Sequence, residues 1–187
     1  MTVIDPNAPL VFEARVAASA DDSEERMNGS IKLTSSDLEL VDDKGKLQIV
    51  GIRFQGVSIP AGAAISQAYV QFTVDEVSSV AASLTLHGQA ADDAPAFTTS
   101  SGDIGSRPTT AAAVTWSPAA WTAVGAAGPD QQTPNLAPLI QEIVSRSGWT
   151  AGNSLVLVVT GSGTRVAEAF EGAANAAPLL HVDYTAP

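Results

Sequence analysis

Apolar and polar residues alternate with period two along most of this 187-residue chain, the signature of strands with one buried face and one wet face. In AYVQFTVDE, Val70, Phe72 and Val74 point one way, and Tyr69, Gln71, Thr73 and Asp75 the other. LVFEARV sets Phe12, Ala14 and Val16 against Glu13 and Arg15. SLTLHGQA sets Leu84 and Leu86 against Thr85 and His87, and PLLHVDY sets Leu180, Val182 and Tyr184 against His181 and Asp183. GSIKLTSS and LQIVGIRFQGVSI predict further strands. SLVLVVTG is apolar on both faces, which predicts a central strand covered on both sides. The stretches between them (DDKGK, IPAGA, TSSGDIGSRP, GAAGPDQQTP, EGAANAAP) carry the Gly, Pro, Asp and Asn of tight turns.

One segment changes period. In TPNLAPLIQEIVSRSG, Leu136, Leu139, Ile140, Ile143 and Val144 follow i, i+3, i+4, i+7, i+8, a single apolar helix stripe. Thr133 or Asn135 can cap it, Pro138 is tolerated in the first turn, and Gly148 follows its end. One isolated helix does not make βαβ winding. The expected fold is an all-β sandwich with one short amphipathic helix: a single module over residues 10–185 behind a lead over 1–9.

Composition sharpens this picture. Aromatic residues are 5% of the chain, so the core must come from Val, Ile and Leu, which favours strands. The net charge is −11, and the nine Lys and Arg are scattered. Such a surface repels phosphate backbones, which argues against nucleic acid and anionic membranes as partners. No apolar run reaches membrane-spanning length. With no cysteine, disulfides, thiolate nucleophiles and cysteine-ligated zinc are excluded. MTVIDPNAPL has neither the basic nor the apolar region of a secretory signal. The polar lead and the ending DYTAP read as a module cut from a longer, multidomain protein.

Candidate chemistry begins with the acids. Asp21, Asp22, Glu24 and Glu25 crowd into five residues after the first strand, and Asp37, Glu39, Asp42 and Asp43 follow. Gathered carboxylates suit calcium, a hard cation that takes oxygen ligands, although the spacing is not that of an EF-hand. The alternative is a solvated acidic loop. Glu13 and Arg15 on the first strand and His181 and Asp183 on the last would form one polar patch if the terminal strands are neighbours, with Arg53 a further candidate member. That patch is a ligand or metal site, or simple cross-strand ion pairing. Catalytic signals are thin. His87 and His181 lie in no metal-ligand pattern, and TGSGTR lacks the Lys and helix of a phosphate loop. Glu168 and Glu171 would serve glycoside hydrolysis only across a cleft, so no catalytic residue is assigned. Trp116 and Trp121 flank a proline in WSPAAW and form either core or a sugar-stacking platform.

VGIRFQGVSIPAGAAISQAYVQFTVDE, then WSPAAW, then RVAEAFEGAANAAPLLHVDY resembles the disaggregatase-related, or DNRLRE-type, β-sandwich modules of bacterial and archaeal extracellular proteins. The matching positions are Arg53 and Phe54; Ile59, Pro60 and Gly62; Ala68, Tyr69 and Val70; Trp116; Glu171; and Pro178, Leu180, Val182 and Tyr184. The resemblance implies a jelly-roll sandwich, an extracellular location and a non-catalytic module appended to secreted enzymes or adhesins. Some members bind polysaccharide, and related jelly rolls carry a structural calcium. It also implies that Trp116 packs over the sandwich, which leaves Trp121 as the exposed ring, while Trp149 reads as a lid against the core. The expected glycan contacts are Trp121, Tyr69, Gln71, Arg53 and His87. The expected calcium ligands are drawn from Asp21, Asp22, Glu24, Glu25, Asp37 and Glu39. The competing expectations are a structural or adhesive domain without a ligand, and an enzyme acting on polysaccharide.

Overall fold

The computed structural model describes residues 8–187; residues 1–7 of the expected lead lie outside the described residues. The chain runs β1 (Leu10–Arg15), β2 (Asp22–Arg26), β3 (Ile31–Lys32), β4 (Asp37–Glu39), β5 (Asp42–Asp43), β6 (Lys46–Phe54), β7 (Ala64–Gln71), β8 (Val74–Glu76), β9 (Ser83–Gln89) and β10 (Thr109–Trp116). Helix α1 (Ala137–Val144), β11 (Leu155–Ser162), β12 (Val166–Glu168) and β13 (Leu179–Thr185) complete it. All strand pairs are antiparallel. The fold is the all-β sandwich with one short α-helix that the alternation predicts.

A large sheet has the order β10-β9-β11-β6-β2-β3, with β5 also paired to β6. Two three-stranded sheets, β1-β13-β7 and β4-β12-β8, face it across the core. Leu84, Leu86, Val50, Ile52, Leu157 and Val159 from the large sheet meet Ala68, Val70, Leu180, Val182, Val74 and Ala167 from the small ones in one apolar cluster. The predicted central strand is β11: it lies between β9 and β6, and Leu155 to Val159 are all buried. Its second face is covered by the 94–104 loop, whose Ala94, Phe97 and Ile104 pack on Val156 and Val158. Gly51 makes this cover possible, since a Cβ there would lie 2.5 Å from the Phe97 ring.

The helix stripe is buried in full: Leu136, Leu139, Ile140, Ile143 and Val144 are each 0% exposed. The two residues expected to cap the helix hold the chain entering it to β7. The Thr133 hydroxyl oxygen accepts from the Val70 amide, and Asn135 Oδ1 accepts from the Ala68 amide as well as from Ala137. At the other end of the helix, Glu142 accepts from the amides of Ala111 and Ala112. It thereby covers part of edge strand β10, and those two donors hold its carboxyl below the usual range. Four expectations change. GSIKLTSS forms only two strand residues, the strand from Lys46 stops at Phe54, DSEER is a strand rather than part of an acidic loop, and AYVQFTVDE breaks into β7 and β8, which lie in different sheets.

Ile140→Asp places an unpaired carboxylate at the centre of the docked stripe, which costs several kcal/mol. For a domain of this size the melting temperature falls by about 10 °C or more, as calorimetry will read.

Candidate functional site

The β2 pleat decides what the acidic run can do. Successive side chains of a strand point to opposite faces, so Asp22 and Glu24 face one way and Glu25 the other. Each finds its own donors. Asp21 pairs with Arg53 at 2.6 Å and accepts from Gln55 at 2.5 Å. Asp22 accepts from the Phe170 amide at 2.8 Å. Glu24 accepts from the Glu39 amide at 2.9 Å and the Gln48 side chain at 2.8 Å. Glu25 accepts from the amides of Ile104 and Gly105 at 2.8 and 2.7 Å. The acids from which the calcium ligands were expected therefore do not converge as one set: Asp21, Asp22 and Glu25 turn to separate donors, and Glu24 meets Glu39 alone. Asp21, Asp22, Glu24 and Glu25 are buried and hold loops in place.

Two of these buried carboxyls are strongly perturbed. Burial pushes Asp22 up to about 7, against the Phe170 amide, with the charges of Glu171 and Asp21 adding to the rise. Burial also pushes Glu24 up to about 8, helped by a hydrogen bond with the Glu39 carboxyl.

Beside them, the structure gathers a different set of acids. Asp37 of β4 and Asp75 and Glu76 of β8 bring one carboxylate oxygen each within 4.8 Å of one another. Glu168 of β12 shares a hydrogen bond with Asp75; burial raises both, as does the charge of Asp37. This cluster adjoins an open groove of about 330 Å³, which Glu39, Asp42, Asp43 and Lys44 also line along with Val80 and Val166. Asp37 is the only expected ligand in the converging set. Asp75 was missed because alternation assigned it to a strand's wet face, and Glu76 was given no role; nothing in the sequence says that β4 and β8 flank β12 in one sheet.

The tryptophans settle as core. Trp121 is 0% exposed, which corrects its assignment as the exposed ring; Trp116 is 6% exposed and Trp149 2%. Phe72 lies 5.8 Å from the Trp116 ring and 6.3 Å from Trp121, and the two indoles are 6.5 Å apart. Trp121 and Ser78 exchange backbone hydrogen bonds, and the indole N–H of Trp121 donates to the Asp130 carbonyl at 3.2 Å. The loop between them is drawn inward by Arg165. This buried guanidinium donates to the carbonyls of Pro118, Ala119 and Val80. Trp149 lies over the core as expected, its indole N–H donating to the Ile59 carbonyl.

Other expected ligand contacts are committed internally. Arg53 is held by Asp21, Ser154 and the Ala94 carbonyl. It lies on the large sheet, away from the terminal-strand patch. Gln71 donates to the Phe72 and Gly128 carbonyls and accepts from Gln132. His87 stands half-buried on the large sheet, not beside Tyr69, and its Nδ1 is buried without a partner.

The terminal strands are neighbours, as expected. Register places Glu13, His181 and Tyr69 in one row across β1, β13 and β7, with Val11, Asp183 and Gln67 in the next. The His181 ring stacks on Tyr69 at 4.7 Å, with Nδ1 2.8 Å from Glu13 and Nε2 3.2 Å from Asp183. None of these six residues is buried, so this face of the small sheet is open to solvent.

No protein-family model matches the chain, and no curated protein matches its sequence.

Two outcomes follow from the geometry. Trp121→Ala removes a fully buried indole and costs about 3–5 kcal/mol of stability by denaturant unfolding, where an exposed platform residue would cost little. For Asp22 and Glu24, the folded-state values lie above the ordinary 3.8 and 4.5. The unfolded chain therefore releases these protons first as pH rises. Stability is highest near pH 4, falls as pH climbs, and levels off above about 8. Thermal melts in chelator record this slope, and Glu24→Gln, which keeps a neutral group there, flattens it.

Proposed function

We propose that this chain is a non-catalytic extracellular binding module for polysaccharide, carried by a larger protein and stabilised by calcium. The observation that carries the ligand reading is the open face of the β1-β13-β7 sheet. Its Tyr69–His181 ring pair is flanked by Glu13, Asp183 and Gln67. Aromatic rings beside carboxylates and an amide offer the apolar contact and hydrogen-bonding groups that a hydroxyl-rich chain requires. A flat sheet face also suits an extended polymer better than a closed pocket does. The resemblance to DNRLRE-type modules supports the same assignment.

Affinity electrophoresis against a panel of neutral and anionic polysaccharides tests the ligand. Retardation by at least one glycan, lost in Tyr69→Ala and kept in Trp121→Phe, is the expected result. No retardation on any glycan hands the module to the structural or adhesive reading, and release of product on incubation makes it an enzyme.

The calcium part rests on the converging oxygens of Asp37, Asp75 and Glu76. A cation bound only by the folded chain adds about 2.7 kcal/mol at one hundred times Kd, or about 5–10 °C in melting temperature for this size. Calcium raises the melting temperature over a chelated sample, magnesium less so because it dehydrates reluctantly, and Asp37→Asn removes the difference. A melting curve unmoved by calcium, with no ion found by elemental analysis, removes calcium from the assignment.

A further inference from the structure

The β5–β6 hairpin separates two surface depressions of opposite character. Asp42 faces Leu47 and Asp43 faces Lys46 across it. Lys44 and Gly45 turn the corner with φ of 52° and 85°, and the Gly45 amide donates to Asp42. On the β5 side lies the groove of about 330 Å³, where Asp37, Glu39, Asp42, Asp43 and Glu76 face one Lys44, with Val80 and Val166 as apolar walls. On the other side, toward β2, lies a depression of about 410 Å³ lined by Arg26, Met27, Asn28, Lys46 and Leu47. It holds two cations and no carboxylate. Arg26 and Lys46 make no ion pair among the described residues.

Exposed large hydrophobic side chains lie at both places: Val80 at 65%, Met27 at 72% and Leu47 at 44%. Each depression thus pairs charge of one sign with uncovered apolar surface, and the two signs are complementary. They adjoin a single hairpin, so a rotation of one copy about an axis near its tip brings each depression against its opposite.

We propose that two copies of this chain associate about a two-fold axis at the β5–β6 hairpin, the acidic groove of each receiving the Arg26–Lys46 surface of the other. A two-fold contact is self-complementary, with the same ion-pairing zone formed twice, and it closes at the dimer. The desolvated valine, methionine and leucine side chains supply the non-directional part of the attraction. The opposed charges set the register, since like charges brought together would exclude other arrangements. The net charge of −11 on each copy opposes association at long range, so the pairing is concentration-dependent. This proposal does not depend on the glycan reading, whose sheet face lies on other strands.

Charge reversal tests it on the full chain in chelator, by sedimentation velocity. The wild-type mass rises from 19.1 kDa toward twice that value with concentration. Arg26→Glu with Lys46→Glu leaves a monomer, and Asp43→Lys weakens the dimer; Asp42 is left in place because it holds the turn, and Asp37 and Glu76 because they belong to the proposed calcium site. An equimolar mixture of the two variants recovers dimer that Arg26→Glu with Lys46→Glu alone does not form, because the mixed pair keeps one wild-type zone. Unchanged melting temperatures show that the variants are folded. A wild-type chain that stays at the monomer mass, a mixture that stays monomeric, or growth beyond the dimer overturns the proposal.

Discussion

Buried ionisable groups in this protein are satisfied mainly by the backbone, and the loops take their places accordingly. Asp22, Glu24 and Glu25 lie on one strand, and each reaches out to a different segment: the amides of Phe170, of Glu39, and of Ile104 and Gly105. Arg165 does the converse, spending its guanidinium on the carbonyls of Val80, Pro118 and Ala119. Asp21 is the exception, with Arg53 as its counter-ion. A buried ion left without partners is far more costly than the net gain from one satisfied hydrogen bond. These segments therefore cannot drift away from β2 and β12 without exposing or orphaning a charge. Irregular chain is thereby held with a precision that apolar packing alone would not give it.

The same arrangement explains why an acidic protein can bury so many of its acids. Amide donors offset part of the cost for Asp22 and Glu24, and a raised proton affinity absorbs the rest. Glu25 has two amide donors to itself. The acids left with half-exposed neighbours of like sign are those on β4, β8 and β12, which meet at the groove. Carboxylates of three strands then repel across a short sheet unless protons or a cation intervene. The groove is thus a product of sheet pairing, since Asp37 and Glu168 are directly opposed in register and Asp75 follows on the next strand.

The sheet face and the groove divide the chain's polar chemistry between two places. At the face, His181 and Tyr69 stack because they are register partners on adjacent strands, and carboxylates on either side hold the imidazole. At the groove, carboxylates converge with apolar walls. The WSPAAW segment serves neither: its two indoles pack with Phe72 in the core, and Arg165 holds the carbonyls of Pro118 and Ala119 between them.

Period-two alternation in the sequence was enough to identify β1, β7, β9 and β13 and the faces they bury, because pleat geometry ties each side chain's direction to its position in the chain; β11 was legible instead as an unbroken apolar run. The helix stripe was legible for the same reason at period 3.6, and the pairing of the terminal strands followed from the sandwich. What alternation cannot express is which strands lie side by side. DSEER reads as a solvated acidic run because its burial depends on amides far away in sequence, from residue 39 to residue 170. Trp121 reads as exposed because the polar group that draws its loop inward, Arg165, lies forty-four residues on. Asp75 reads as one more wet-face residue until β12 and β4 are laid beside it. The sequence determined the elements and their inner faces through local periodicity. The tertiary structure alone decided which charges meet, because convergence of side chains is a property of strand order and register.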